Sequence, residues 1–201
     1  MRVFLLPALF GILLAAAPVR AASYTLDRYD LDTPHTQILF SIDHMGFSRS
    51  YGKFPGYAGF FMFDKNHPEK SSVNVTIHTG TVDMSDKVWN DHVRDFFHVE
   101  KFPDMTFKST AVKILPGNTA DVTGDLTLLG VTKPVILHVL FRKDGRNMFG
   151  KYVAGFSAEA DIKRSDFGMK DYIPAVGDDV HIMIEAEGNR EDKPGQEQYN
   201  Q

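Results

Sequence analysis

The sequence predicts an all-β fold: an eight-stranded antiparallel barrel with one short amphipathic helix inserted between strands. Three observations predict it, namely eight segments of alternating apolar and polar residues, short connections between most of them, and one stretch with helical spacing. Short connections favour antiparallel pairing of successive strands, and closing such a sheet into a barrel leaves no exposed edge. An open sandwich of two sheets is the competing architecture.

Most of the predicted strands place an apolar side chain at every second position. In the first of them, Ile38, Phe40 and Ile42 alternate with polar residues, which is typical of a half-buried strand. The eight predicted strands are 36–43, 57–64, 72–79, 105–115, 120–129, 134–142, 148–161 and 179–188. The glycine-containing segment 44–56 and the pair Asp144-Gly145 are predicted as turns.

One segment, 86–98, has the spacing of an amphipathic helix of about three turns. Its apolar residues recur at helical intervals, at Val88, Trp89, Val93, Phe96 and Phe97. Ser85 or Asp86 is suited to cap its first turn. Because the helix lies between strands, we expect it to cover an end or a flank of the barrel.

The chain divides into three parts. Residues 1–21 combine a positive start, an apolar core and small residues before Ala22, which predicts a cleavable signal peptide and a periplasmic location. Residues 22–188 have the length of one domain, and the polar segment 189–201 is predicted to be a disordered tail. The net charge of −4 argues against nucleic-acid binding, and the absence of cysteine excludes thiol catalysis and cysteine-ligated metals.

The sequence offers little for catalysis or metal binding. Asp43 and His44 are neighbours on a predicted strand and therefore point to opposite faces, and no nucleophile motif is present. The eight histidines are scattered without metal-ligand spacing. We therefore predict no catalytic residue, no metal and no cofactor. The alternative is an enzyme for a prenyl or haem-like substrate, with a histidine site in the barrel drawn from His44, His78 or His181.

Phenylalanine is the most informative part of the composition. The chain contains sixteen, and the run from Tyr57 to Phe63 is especially aromatic. Such side chains suit the wall of a cavity as well as a solid core, so composition leaves both interpretations open.

Several ordered motifs resemble the YceI-like family of exported, lipocalin-like proteins. They are T-P-H-T at 33–36, I-x-F-x-I-x-H-M-G at 38–46, G-K-F at 52–54, G-F at 59–60, F-P-D-M-T-F-K-S at 102–109, G-D-L-T-L-x-G-V-T-K-P-V at 124–135 and R-S-D-F-G-M at 164–169. The resemblance covers residues 24–187 and departs from the family pattern at Leu129, where histidine is expected. It implies a lipocalin-like barrel that carries an isoprenoid lipid, a polyprenyl pyrophosphate or a prenylated quinone-like compound, and is not an enzyme.

Alternation along the strands and the helix selects the candidate ligand-binding residues. The predicted wall comprises Phe40, Ile42, Phe54, Phe60, Val75, Ile77, Phe96, Phe107, Leu126, Leu128, Leu137, Phe156, Ile182 and Ile184. For an anionic head group the candidates are cationic side chains near turns, Arg49, Lys53, Lys101 and Arg164, since ammonium and guanidinium groups pair with phosphate.

A carrier must also load and release its ligand, so we expect a transient contact with a membrane or a membrane protein. The oligomeric state is left open, with a homodimer among the alternatives. An outer-membrane barrel is a rival interpretation of the same alternation, but the helix between strands and the polar tail argue against it.

Overall fold

The computed structural model describes residues 26–191. These residues form ten strands, one α-helix and three short 3₁₀ segments. The strands are β1 Asp27–Leu31, β2 Gln37–His44, β3 Ser48–Lys53, β4 Tyr57–Phe63, β5 Ser72–His78, β6 Asp104–Leu115, β7 Thr119–Leu128, β8 Val131–Arg146, β9 Tyr152–Lys163 and β10 Val176–Arg190. Helix α1, Lys87–Phe97, lies between β5 and β6, and the 3₁₀ segments are Pro68–Lys70, Thr79–Thr81 and Arg164–Phe167.

Eight strands close a ring in the order β1-β4-β5-β6-β7-β8-β9-β10 and back to β1. Every pairing between them is antiparallel. The predicted eight-stranded antiparallel barrel with one inserted helix is confirmed. The sandwich alternative is wrong because β1 pairs with both β4 and β10 and so closes the sheet on itself.

The hairpin β2–β3 extends the wall of this ring at one end. Strand β10 pairs with β2 along most of its length and with β1 only at Gly188–Arg190. Strands β1 and β2 therefore act as two halves of one long strand that is interrupted at 32–36. There Thr36 donates through its hydroxyl to the Glu187 carbonyl oxygen at 3.0 Å and accepts the Glu187 N–H at 3.1 Å.

Three boundaries differ from the prediction. The segment 44–56 is not one turn, because Ser48–Lys53 forms β3, whose serine, arginine and glycine residues lack the composition of a typical strand. The pair Asp144-Gly145 lies inside β8, and the chain turns at 147–150 instead. Strand β10 runs through Arg190, two residues past the predicted domain boundary at 188. The predicted signal peptide and residues 192–201 of the predicted tail lie outside the described residues.

Helix α1 confirms the prediction and covers one end of the barrel. It begins after Asp86, whose carboxylate accepts the Trp89 N–H at 2.9 Å, and it ends at His98 in the left-handed conformation. Phe97 packs edge to face on Phe54, with ring centroids 5.5 Å apart. We call this end of the barrel, where α1, the β2–β3 turn and the loop 168–175 lie, the helix end. The opposite end, with the β6–β7 and β8–β9 turns, is the far end.

Among residues 26–191, no helix has the length and apolar character needed to cross a membrane.

Removing the cap of α1 should loosen the cover of the helix end. We expect Asp86→Ala to lower the free energy of unfolding by about 1 kcal/mol, because the Trp89 N–H loses its acceptor. Urea denaturation measures the change. Asp95→Ala, in the last turn of the same helix, is the matched control, since a carboxylate there opposes the helix dipole and its loss should be neutral or slightly stabilising. Equal losses in both variants would contradict the capping role.

Candidate functional site

A cavity of about 890 Å³ occupies the inside of the barrel. Its wall takes side chains from all ten strands and from α1, and nearly all of them are apolar. The volume lies in the upper part of the range of small-molecule sites, roughly 300–1,000 Å³. Within the described chain this cavity is the candidate functional site.

The barrel is hollow, because its apolar inner side chains line a cavity and do not fill the interior as a solid core would. Val122, Leu137, Ile182 and Ile184 point inward and pack against the core, yet they are only partly buried. In a closed barrel, this remaining exposure faces the cavity, whereas close packing in a solid core would have buried the same side chains. Composition left open whether the aromatic side chains line a cavity or fill a solid core, and the structure shows a cavity.

Glycines allow large aromatic rings to line the wall without filling the lumen. The Phe107 ring lies against Gly124 of the adjacent strand β7, and the Phe40 ring lies against Gly52 of the adjacent strand β3. A Cβ atom at either glycine would overlap the neighbouring ring. These rings therefore lie along the wall, an arrangement that only glycine on the neighbouring strand permits.

Towards the far end aromatic rings form part of the cavity wall, and the cavity also reaches the β6–β7 turn at Gly117 and Asn118. Five rings form a continuous cluster with neighbouring centroids 5.1–5.5 Å apart, namely Tyr29, Phe61, Phe63, Phe141 and Phe156. Most of these pairs are edge to face or tilted, the arrangements that ring quadrupoles favour. Burial raises the pKa of Tyr29 to about 12, so its hydroxyl stays neutral.

The structure brings almost the whole predicted wall together. The residues that line the cavity are Phe40, Ile42, Phe54, Val75, Ile77, Phe96, Phe107, Leu126, Leu128, Leu137, Phe156, Ile182 and Ile184. Phe60 does not line it. Its neighbours Phe61 and Phe63 point inward, so Phe60 faces outward, where the Arg28 guanidinium lies 3.7 Å from its ring centroid.

Three of the predicted head-group residues lie away from the cavity. Arg49 donates to the Ser41 hydroxyl at 3.2 Å, Lys53 pairs with Asp83 at 3.4 Å, and Lys101 lies over the ring of the next residue. None of the three lines the cavity. Their partners stabilise the outer surface, so the structure does not place these cations where a bound head group would be.

Arg164 does line the cavity, but its guanidinium is already engaged. It is buried and donates to four backbone carbonyls, those of Met169, Asp171, Val176 and Gly177, at 2.7–3.1 Å. Burial lowers the pKa of Arg164. The side chain thus holds the segment 168–177 against the barrel, a role that its cationic character alone could not reveal.

Sequence reasoning missed a group of residues that line the helix end of the cavity. They are Met45, Ser50, Trp89, His92 and Tyr172, and they lie beside His44, which the sequence named only for the enzyme alternative. Ser50 is buried and its hydroxyl has no hydrogen-bond partner. Ser50 pairs with Ile42 and therefore shares its inner face of the barrel. Its position could not be predicted because β3 was not recognised as a strand.

The candidate histidines of the enzyme alternative do not converge. Only His44 lines the cavity, whereas His78 pairs with Asp104 at 2.7 Å and His181 with Asp161 at 2.9 Å. Within residues 26–191, Asp32, His35 and Glu187 form the one group with the spacing of metal ligands, and none of them lines the cavity. The three candidate histidines therefore do not share a site.

Comparison with known proteins places the chain in a well-populated group. The model of the YceI-like domain matches residues 29–188. A UPF0312 protein of Azotobacter vinelandii is 38% identical over 92% of this chain and 95% of its own length, and one of Photorhabdus laumondii is 40% identical over 91% and 97%.

Three solved structures share the fold. Burkholderia cenocepacia BcnA superposes with a TM-score of 0.71 at 28% identity, covering 79% of this chain and 99% of its own. The Campylobacter jejuni YCEI protein has a TM-score of 0.67 at 31% identity, covering 75% and 90%. A polyisoprenoid binding domain from Saccharophagus degradans has a TM-score of 0.65 at 14% identity, covering 83% and 99%, a likeness of fold alone.

The contact between Phe107 and Gly124 can be tested by a double-mutant cycle. We expect Gly124→Ala to lower the free energy of unfolding by about 1–3 kcal/mol, because the new methyl group pushes the ring off the wall. In a Phe107→Leu background the same change should cost less, because the overlap with the ring is gone and only the close approach to the Lys108 carbonyl oxygen remains. Urea denaturation of all four proteins gives the coupling, and strictly additive effects would contradict the contact.

Replacing Arg164 should destabilise the barrel rather than merely alter its ligand preference. Arg164→Met removes the buried guanidinium and leaves four backbone carbonyls without their donor, so we expect a loss of about 3 kcal/mol in the free energy of unfolding. The control Arg49→Met, at an exposed guanidinium with one hydroxyl partner, should change it by less than about 0.5 kcal/mol. A small effect at Arg164 would show that other contacts hold the segment.

Proposed function

Because the chain belongs to the YceI-like family, we propose that it is a carrier that binds an isoprenoid lipid inside its barrel and catalyses no reaction. The cargo would be a polyprenyl pyrophosphate or a prenylated quinone-like compound. The signal-like segment 1–21 supports export to the periplasm, where such a carrier would store or move the lipid.

One observation carries the proposal: the closed barrel contains a large cavity whose wall is almost entirely apolar. An apolar cavity of this size does not retain water well, because water needs two to four polar partners. It suits a hydrocarbon chain, whose burial is favourable by about 0.8 kcal/mol per methylene. A polyprenyl chain is a long linear hydrocarbon with a methyl branch on each isoprene unit, and a barrel interior that extends between two ends accommodates that shape.

The fold likeness to the Saccharophagus degradans polyisoprenoid binding domain supports the same ligand class. The placement of the histidines supports a binding role over the enzyme alternative, since a reaction centre requires reactive groups within reach of one another. The conclusion is a binding protein for an apolar chain.

The co-purified ligand tests the proposal directly. Protein purified without detergent is extracted with organic solvent, and the extract is analysed by mass spectrometry. We expect a polyprenyl compound in near-stoichiometric amount. Protein that is repeatedly empty, and that also fails to take up added prenyl lipids, would rule the proposal out.

Two neighbouring positions on β8 provide a matched pair of variants. Leu137 lines the cavity, whereas Ile136 is 47% exposed on the outer face of the barrel. We expect Leu137→Trp to reduce the bound lipid severalfold, because the indole ring occupies the lumen, while the urea midpoints of the delipidated variant and the delipidated wild type stay close. Ile136→Trp should retain the lipid. Equal lipid contents in the two variants would show that the lumen is not the binding site.

A further inference from the structure

Exposed apolar side chains are concentrated at the helix end of the barrel. Three segments contribute two each: the β2–β3 turn, the first turn of α1 and the loop 168–175. The six residues, which we call the apolar rim, are Met45, Phe47, Val88, Trp89, Tyr172 and Ile173. Phe47 is 89% exposed and Val88 is 71% exposed. Exposed apolar surface that is concentrated in this way marks a contact site.

The three segments are joined to one another, so the rim forms one surface. The Met45 N–H donates to the Ala175 carbonyl oxygen at 2.7 Å, which ties the β2–β3 turn to the loop 168–175. The Trp89 ring packs edge to face on the imidazole ring of His44, the last residue of β2, with ring centroids 6.0 Å apart. Tyr172 packs in the same manner on Phe96 of α1 at 5.7 Å.

The rim is continuous with the cavity wall. Met45, Trp89 and Tyr172 all line the cavity, although each also exposes at least 40% of its surface. An uninterrupted apolar surface therefore leads from the inside of the barrel to the outside at this end. A hydrocarbon chain that moves along it meets apolar side chains throughout.

We propose that the apolar rim inserts into the surface of a lipid bilayer and sets the mouth of the cavity against the membrane, where the cargo enters and leaves. This inference rests on the proposed function, because an isoprenoid chain is itself a membrane lipid. Insertion would keep the chain out of water during transfer. Tryptophan and tyrosine, both present in the rim, favour the interface between hydrocarbon and water.

The charges beside the rim are of mixed sign, with Lys170 and Asp171 adjacent in the loop 168–175 and several others engaged within the protein. Asp43 accepts the Gly46 N–H at 2.8 Å, Asp86 caps α1, and Lys87 pairs with Asp91 at 2.8 Å. Attraction to anionic head groups would require a surplus of cations. The contact is therefore apolar in nature, and zwitterionic lipid is sufficient for it.

The far end offers a built-in comparison. Met148 and Phe149 in the β8–β9 turn are 90% and 81% exposed, and the cationic residues Arg146 and Lys151 flank them. Neither apolar residue lines the cavity. Phe47 and Phe149 are thus two highly exposed phenylalanines at opposite ends of one barrel, and only Phe47 belongs to the rim.

The single tryptophan of the chain reports on the contact without a label. The purified protein is mixed with vesicles of phosphatidylcholine whose acyl chains carry bromine, and Trp89 fluorescence is recorded. We expect quenching that is insensitive to salt. Phe47→Ser should weaken vesicle binding by about tenfold or more, since a phenylalanine loses its apolar environment, whereas Phe149→Ser should leave it unchanged.

Several results would overturn the inference. Vesicle binding without quenching of Trp89, or binding that is lost in Phe149→Ser and kept in Phe47→Ser, would place the contact at the far end. No binding of the wild-type protein to vesicles would point to a protein partner instead.

Mass spectrometry of the lipid in the same preparations separates the membrane contact from the carrier function. Phe47→Ser should still carry its cargo. An empty wild-type protein whose Trp89 is quenched would contradict the carrier function alone.

Discussion

Closure of an eight-stranded ring is the constraint on which the rest of this structure depends. Pairing of β1 with both β4 and β10 closes the ring, so that β3, which pairs along its length with β2 alone, is left as the edge, and closure creates an interior that something must fill. An interior of this width can be filled by side chains or can hold one ligand. The choice is made here by glycines, because the rings of Phe40 and Phe107 lie against Gly52 and Gly124 and leave the lumen open.

The two ends of the barrel are built from different interactions. Towards the far end a cluster of five aromatic rings packs beside the cavity, which also reaches the β6–β7 turn at Asn118. At the helix end the cover consists of α1 and the segment 168–177, which the Arg164 guanidinium holds through four backbone carbonyls. Hydrogen bonds that tie a surface segment open locally at lower free energy than packed aromatic rings, which favours the helix end as the route for a ligand.

Much of this architecture could be predicted from the sequence, and the failures have local causes. Strong alternation located the long strands and most of the cavity wall, whereas the polar strands β1 and β3 lacked that signal. Phe60 was assigned to the wrong face because adjacent Phe60 and Phe61 offer the same apolar character in opposite directions. The roles of Lys53 and Arg164 depend on partners such as Asp83 and Val176 that are distant in sequence, and no residue-type argument reveals such pairings.

A hollow apolar interior also sets the relation between ligand and stability. Wall side chains such as Leu137 and Ile182 lack dispersion partners on the side that faces the cavity, so the empty barrel forgoes part of the packing energy that a solid core would have. A ligand that fills the lumen supplies those contacts, and it stabilises the folded state by an amount that rises with the logarithm of its free concentration above the Kd. The barrel must nevertheless fold before it can bind. Its intrinsic stability therefore depends on the parts that no ligand touches: the strand pairings that close the ring and the carboxylate that caps α1.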